Sequence, residues 1–397
     1  GGVVNMIPNI AEPGDFSGDL QLEAGNYGSM RAKGMLNVPL GDTLAVRAAG
    51  AWTSRNGYDF NTVTNRRVNG RDLWSTRISA AWEPSDSFRV NAIWEHFYEN
   101  DDRSRTGKQL CTRDSGPSSI GGVDISENVL ARGLLSQGCM DSTLYDDAAF
   151  GVPNGFALPY VTAAATLVNM GSTLVNGRYV LTHLLDKDVD PYAGIVQSHD
   201  LREVATSYDP TFRAKNDVFQ LNAELDLGSA LKLYSQTSYS RDNYYSTQDY
   251  NRFNPGPVFN DSALMTDGRG GPLPTIGLAP GGFLQDPQLG PSDTILGVDM
   301  VKSKSSQWYQ ELRLQSSFDG PVNFIAGANY LKFKIDEDYY VFNNVFTAVA
   351  RSQFAGGLTS LPVRDCTGHI SQHIFDYCVY TDPNKITEID GDGHNYF

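Results

Sequence analysis

The fold is decided by residues 16–55, FSGDLQLEAGNYGSMRAKGMLNVPLGDTLAVRAAGAWTSR. In the first run, Phe16–Asn26, apolar or small residues occupy every second position and polar residues occupy most of the positions between them. The runs Met30–Pro39 and Thr43–Arg55 alternate similarly, and VPLGDT at their junction has the composition of a tight turn. Alternation with period two predicts β-strands that have one apolar and one polar face. We therefore predict three antiparallel strands here.

The same pattern recurs along the chain. Six further alternating runs are Trp74–Trp82, Phe88–Tyr98, Phe219–Leu227, Leu231–Tyr245, Gln307–Ser316 and Val322–Tyr340. Short turns alternate with connections that are mostly long, at about 100–216, 246–306 and 341–397. Short turns on one edge and long loops on the other are typical of outer-membrane β-barrels, whereas soluble β-sandwiches have shorter strands and more evenly spaced turns. We expect an all-β, antiparallel transmembrane barrel of about nine strands with long extracellular loops.

Charged residues lie at mid-strand, opposite the apolar positions. They are Arg31, Lys33, Arg47, Arg77, Glu224, Glu311 and Arg313. Such a face is either the wall of a wet lumen or the solvated face of a soluble sheet. The five tryptophans fit an interfacial girdle and a protein core equally well. Strand length and loop asymmetry favour the barrel, so we predict that the seven charged residues face the lumen.

Composition and hydropathy argue against nucleic-acid binding and against a transmembrane helix. The net charge of -15 argues against general nucleic-acid binding, because neutralising phosphates needs an excess of Lys and Arg. The chain has no apolar run long enough for a transmembrane helix and no signal-peptide pattern near residue 1. The mean hydropathy of -0.34 fits a barrel as well as a soluble protein, because barrel strands are apolar on one face only.

The four cysteines form two couples that are close in sequence, Cys111 with Cys139 and Cys366 with Cys378. Four cysteines allow three connectivities, and we favour these two local ones, which implies an oxidising compartment. Four free thiols in a cytosolic protein are the alternative.

No catalytic motif accompanies the six scattered histidines, so we expect no enzyme activity and no cofactor. His369 and His373 are four residues apart without an obvious third ligand, and DGDGHN at 390–395 matches only the start of a calcium loop. We therefore expect no metal site.

The long loops are the candidate binding region. Residues 161–185 have the Ala and Leu content of one or two short helices. Four loop aromatics, Tyr244, Tyr245, Tyr250 and Phe253, either stack on a sugar or chelate ring or pack the loops.

The opening residues GGVVNMIPN resemble the last plug segment of TonB-dependent outer-membrane receptors, and residues 22–61 resemble the first three barrel strands of that family. Residues 74–101 and 310–333 are similar to its later strand–turn–strand units. The resemblance implies a 22-strand barrel with an N-terminal plug, in the bacterial outer membrane. It also implies import of an iron-siderophore, cobalamin or glycan-like nutrient, with outer-membrane lipid and TonB as partners.

On this reading, residues 1–12 end the plug and residues 13–397 begin the barrel. An odd number of strands does not close a single-chain barrel, so we expect a fragment of a receptor. A passive porin-like barrel is the alternative, followed by a soluble β-rich binding protein.

Overall fold

A computed structural model describes residues 7–263 and 278–353 of the chain. Its main element is an antiparallel sheet of nine strands in sequence order, in which β1 and β9 each have one partner. The strands are β1 Ser17–Gly25, β2 Ser29–Pro39, β3 Leu44–Arg55, β4 Arg71–Ser85, β5 Phe88–Asp101, β6 Thr211–Asp226, β7 Leu231–Asp249, β8 Gly297–Ser316 and β9 Ile325–Asn343. The predicted all-β class and the count of nine strands are confirmed, and the sheet is open as expected for part of a barrel.

Several strands are longer than alternation predicts. β6 begins at Thr211 rather than Phe219, and β8 begins at Gly297 rather than Gln307. In the added residues the apolar face carries Arg213, Lys215, Lys302 and Lys304, whereas Phe212 and Val218 lie on the charged face, so the apolar and polar sides no longer match those of the strand centres. As a result, two of the predicted long loops shrink to 102–210 and 250–296.

The two faces of the sheet differ in chemistry, because side chains of directly opposed residues lie on the same face. The strand registers place all seven predicted lumen-facing residues on one side, which we call the charged face. The other side, the apolar face, carries exposed large side chains that we call the apolar belt. The belt consists of Leu20, Leu22, Leu36, Trp52, Trp74, Ile78, Trp82, Phe219, Leu221, Tyr239, Trp308 and Leu312.

The pattern reverses on β9. Leu331, Phe333 and Ile335 lie on the charged face of this edge strand, and Lys332 and Lys334 lie on the apolar face.

The main apolar core lies outside the sheet. It joins residues from 102–210, 250–263, 278–296 and the segment after β9, which together we call the folded loop layer. The core's largest fully buried side chains are Tyr192, Phe156, Leu184, Leu185, Leu284 and Ile295. The long connections therefore pack against one another as a small globular unit.

Three α-helices belong to this part of the chain: α1 Val129–Leu134, α2 Pro159–Thr166 and α3 Asn344–Gln353. Proline at the first position of α2 is pre-set for a helix start, and an alanine-rich run follows it. None of the helices in the described ranges is long and apolar enough to cross a membrane.

The remaining elements are short. The 3-10 helices are Asn26–Gly28, Asp147–Ala149, Gly155–Ala157 and Pro280–Gly282. The short strands are Asp59–Asn61, Arg66–Val68, Thr112–Arg113, Ser119–Ile120, Val123–Asp124, Cys139–Met140, Asn169–Val175, Arg178–His183, Glu203–Val204, Leu284–Asp286 and Gly290–Ser292. The helical prediction for 161–185 is thus right for its first turns only, because Asn169–Val175 and Arg178–His183 form a hairpin.

Candidate functional site

Ion pairs between neighbouring strands and within one strand neutralise part of the charged face. Arg77 Nη2 lies 2.6 Å from Glu95 Oε2, and Lys232 Nζ lies 2.8 Å from Glu224 Oε1. Arg313 is 3.8 Å from Glu311. These side chains are partly exposed, so each pair adds little stability. The face therefore presents partly exposed charges, several of them paired.

A buried amide fixes the N-terminal segment to this face. Asn37 has no exposed surface; its Oδ1 accepts from Glu12 N at 3.0 Å, and its Nδ2 donates to Glu12 O at 2.9 Å and to Asp15 O at 2.6 Å. Ala11 packs against Ala45 and Ala81 beside it. The segment that precedes β1 is therefore held on the charged side of the sheet.

A disulfide and an ion pair between the half-buried Arg113 and the buried Asp190 brace the folded loop layer. Cys111 is bonded to Cys139, the local pairing that the sequence favours, with Cα atoms 5.1 Å apart. Arg113, two residues further on, pairs with Asp190 and donates to Pro153 O at 2.8 Å. Burial lowers the pKa of Arg113.

Asp190 completes this arrangement by accepting backbone N–H bonds from Gly155 at 3.1 Å and from Tyr192 at 2.9 Å. A Cβ at Gly155 would stand 2.5 Å from Asp190 Oδ1, so the close approach requires glycine. The arrangement joins three separate stretches of one loop.

A polar junction connects the loop layer to the strand ends. Gln248 Oε1 accepts from Arg105 N at 2.9 Å, and Gln248 Nε2 donates to Asp299 Oδ2 at 3.0 Å. Arg105 Nη2 lies 2.6 Å from Asp299 Oδ1. The Tyr208 hydroxyl donates to Gln248 O and lies 3.1 Å from Gly297 O. Burial raises the pKa of Tyr208, which keeps this hydroxyl a donor.

The last residue of β7, Asp249, is the buried carboxylate of the junction. It lies eight residues beyond Arg241, the first charged residue on the apolar face of β7, and so lies outside the apolar belt. Its oxygens accept from Ser207 N at 2.7 Å and from Asn251 N at 2.8 Å. Burial raises the pKa of Asp249 to about 6, and these N–H bonds oppose that rise.

The cavities restrict where a ligand could bind. A cavity of about 40 Å³ beside the junction is lined by Asp59, Lys108, Tyr208 and Asp249 among others. It has room for a few waters and none for a chelate or a sugar. A hollow of about 350 Å³ lies between α1 and α2, with an uncharged lining that includes Leu134, Phe156 and Leu167. Among the described residues, no group of three His, Cys, Asp or Glu could hold a metal ion.

The four predicted loop aromatics do not form one site. Phe253 is buried in the loop core with its ring 4.9 Å from that of Tyr192. Tyr244 contacts Phe212 edge-on at 5.2 Å on the charged face, whereas Tyr245 lies on the opposite face near Arg213. Tyr250 is 43% exposed just past β7. The packing alternative therefore holds for Phe253, and no common stacking surface is present.

Some sequence predictions fall outside the described ranges. These are the Cys366–Cys378 pairing, the His369 and His373 pair, the DGDGHN stretch and the first six residues of the plug-like segment. Sequence reasoning also missed the Asn37 clamp and the Arg105–Gln248–Asp299 junction. In the sequence, Asn37 is one polar residue of an alternating run, and nothing local marks it as buried. The junction joins Arg105 to Asp299, which are 194 residues apart in sequence.

No protein-family model matches the chain, and no curated protein matches it. Among solved structures, it is similar to the siderophore receptor PiuA from Acinetobacter baumannii, with a TM-score of 0.42 and 14% identity over 84% of this chain and 32% of that one. It is also similar to the ferric yersiniabactin uptake receptor FyuA from Yersinia pestis, with a TM-score of 0.42 and 11% identity over 83% and 33%.

A third is the ferripyoverdine receptor of the outer membrane of Pseudomonas aeruginosa, with a TM-score of 0.32 and 12% identity over 85% and 39%. The chain spans about a third of the length of the first two structures. All three of these solved structures are receptors whose names refer to siderophores or their iron complexes, and the chain is similar to part of each.

Proposed function

We propose that this chain is part of a TonB-dependent active importer in the bacterial outer membrane, which takes up a scarce nutrient such as an iron-siderophore, cobalamin or a glycan-like molecule. Residues 1–12 would end the plug, residues 13–397 would form the first part of the barrel, and the charged face would line its lumen. The protein would be a transporter rather than an enzyme.

The apolar belt carries this proposal. Leu22 is 72% exposed, Leu221 is 49% exposed and Trp308 is 44% exposed, all on the face opposite the paired charges. Contiguous apolar surface of this extent is rare on water-soluble monomers and marks contact with a membrane or a partner.

The dimensions of the belt suit a bilayer. Trp74 and Trp82 lie eight positions apart on β4, about 27 Å at ~3.4 Å per residue. A strand tilt of about 40° reduces this to about 20 Å, close to the ~25 Å apolar band of outer-membrane barrels. The two tryptophans would lie near the two interfaces.

The folded loop layer supports a role in capture. It is a packed unit with a disulfide and the Arg113–Asp190 ion pair, at the end of the strands where long connections meet. A rigid layer of this kind presents a defined surface to a ligand. The hollow of about 350 Å³ between α1 and α2 has no charged group to orient a polar nutrient, so capture would use the surface of the layer and the charged wall below it.

The test is uptake by the full-length protein in its native host. A deletion strain should lose uptake of one labelled ferric chelate or of labelled cobalamin, and restoration by the full gene should require TonB. Restored uptake without TonB would point to the passive porin-like alternative. Recovery of the native protein in the soluble fraction without detergent would contradict the membrane assignment.

A further inference from the structure

A group of basic side chains lies on the apolar face. On β6–β8 its members lie nearer the long-loop ends than the belt residues of the same strands, and on β9 the group begins at Lys332, which stands opposite Trp308. It is confined to β6–β9 and consists of Arg213, Lys215, Arg241, Lys302, Lys304, Lys332 and Lys334, which we call the basic patch. The same face of β1–β5 carries no Lys or Arg. In a chain with a net charge of -15, this concentration needs a physical reason.

The strand register brings the basic patch together. Asn243 stands opposite both Lys215 and Lys304, so these two lysines lie one strand apart on either side of it. Tyr245 separates Arg213 from Lys302 in the same way. Since neighbouring strands are about 4.8 Å apart, each such couple lies within about 10 Å at the backbone. One anionic group between two strands could therefore meet two cations.

The seven cations form no close ion pair in the described part of the chain. In residues 7–263 and 278–353, no carboxylate lies within 4.0 Å of a side-chain nitrogen of the seven. Apart from Asp249, which is buried at the end of β7, the acidic residues on this face of β6–β9 are Asp217, Asp336 and Asp338. They stand opposite Arg241, Lys304 and Lys302, and Asp217 is also engaged by His96 at 2.7 Å. Arg213 donates to Asn100 Oδ1 at 3.2 Å, a neutral partner. Seven basic side chains against three acidic ones leave the surface positive.

The position of the patch relates it to the bilayer. Phe219, Tyr239 and Trp308 form one row across β6–β8 and end the apolar belt. On β7, Tyr239 is eight residues and Arg241 ten residues from Leu231, which follows a short turn. On β8, Trp308 is eight residues and Lys304 twelve residues from Ser316, which precedes a short turn. Basic side chains just beyond interfacial aromatics lie at the depth of lipid head groups.

We propose that the basic patch binds phosphate groups of anionic lipid in the leaflet on the long-loop side. This inference rests on the membrane insertion proposed above. Clusters of four to eight Lys and Arg next to a spanning segment attract anionic head groups. The patch spreads over four strands without a cavity, which fits a layer of head groups better than a single small anion.

The test measures lipid binding to the full-length protein in detergent, with phosphatidic acid as probe and phosphatidylcholine as its comparison. The variant K215Q/K304Q/K334Q removes three charges from the patch. The control R67Q/R178Q/K187Q removes three charges from exposed positions elsewhere. We expect wild type and control to bind phosphatidic acid at least tenfold more tightly than phosphatidylcholine, and the patch variant to lose most of that preference.

Equal preference in the patch variant and the control would overturn the inference. Displacement of phosphatidic acid by inorganic phosphate at the same concentration would also overturn it, because it would indicate a site for a small soluble anion. Membrane fractionation of the same variants separates the two proposals. A protein that inserts normally but shows no phosphate preference refutes the lipid patch alone, whereas one absent from the membrane fraction refutes the proposed function.

Discussion

At the scale of single residues, the clearest structural role belongs to Asn37. Substitution to Ala removes three hydrogen bonds that hold Glu12 and Asp15 on the charged face. Because the amide is fully buried, we expect a loss of about 1–3 kcal/mol in the stability of this contact and faster hydrogen exchange in residues 7–15. Asn222→Ala, which removes a single 2.9 Å bond to Asn91, is the matched control. Equal hydrogen exchange of residues 7–15 in the two variants would show that Asn37 does not stabilise this segment.

A second residue-scale prediction concerns pH. The pKa of Asp249 in the folded state, about 6, lies above its ordinary value of 3.8, so the folded protein holds this proton more tightly than the unfolded chain. The stabilisation from protonation is fully present below about pH 4 and is lost as pH rises through 6. It amounts to at most about 3 kcal/mol.

The measurement is the free energy of opening of the loop layer by hydrogen exchange at pH 4 and pH 7. In wild type, we expect lower stability at pH 7. The variant Asp249→Asn keeps the shape of the side chain and should lose most of this difference. A wild type whose loop layer is equally stable at both pH values would contradict the prediction.

At the scale of elements, the disulfide should stabilise the loop layer without affecting the sheet. Cys111 and Cys139 are 28 residues apart, and closing a loop of this size typically contributes about 2–4 kcal/mol. The double variant Cys111→Ala/Cys139→Ala should therefore expose residues 111–139 to protease, while cleavage within β1–β5 stays unchanged. Unchanged protection of residues 111–139 would show that the core alone holds this segment.

Alternation in the sequence predicts the strand segments inside the apolar belt better than the segments outside it. Within the apolar belt, alternation located the strands and their short turns, because lipid or core contact forces one face to be apolar. Beyond it, outward positions such as Lys215 and Lys304 are charged, so the ends of β6 and β8 were missed. Near the long-loop ends of these strands, the apolar and polar positions no longer keep to the same faces, so the pattern that located the strand centres stops there.

The loop layer was least predictable. Its core joins residues far apart in sequence, such as Phe156, Tyr192 and Ile295, and no local pattern reports such contacts. One local signal was available. Asn176 and Gly177 both have positive φ, as a two-residue hairpin turn requires, and the Asn-Gly pair between two β-rich runs predicts that hairpin.

At the scale of the whole molecule, three features combine into one account. The sheet has an exposed apolar belt on one face and paired charges on the other, and its long connections fold into a braced layer at one end. A membrane barrel needs lipid outside and water inside, and both faces follow from that requirement. A soluble sheet would bury the belt against a second layer, yet in the described part of the chain these residues are exposed.

The most direct measurement places a spin label at Leu221 and, separately, at Gln220 of the full-length protein reconstituted in lipid vesicles. These neighbours on β6 point to opposite faces. We predict that the label at Leu221 collides with oxygen dissolved in the lipid, and that the label at Gln220 collides with a water-soluble nickel complex. Two labels equally accessible to the nickel complex would contradict the membrane-facing belt and, with it, the transport proposal.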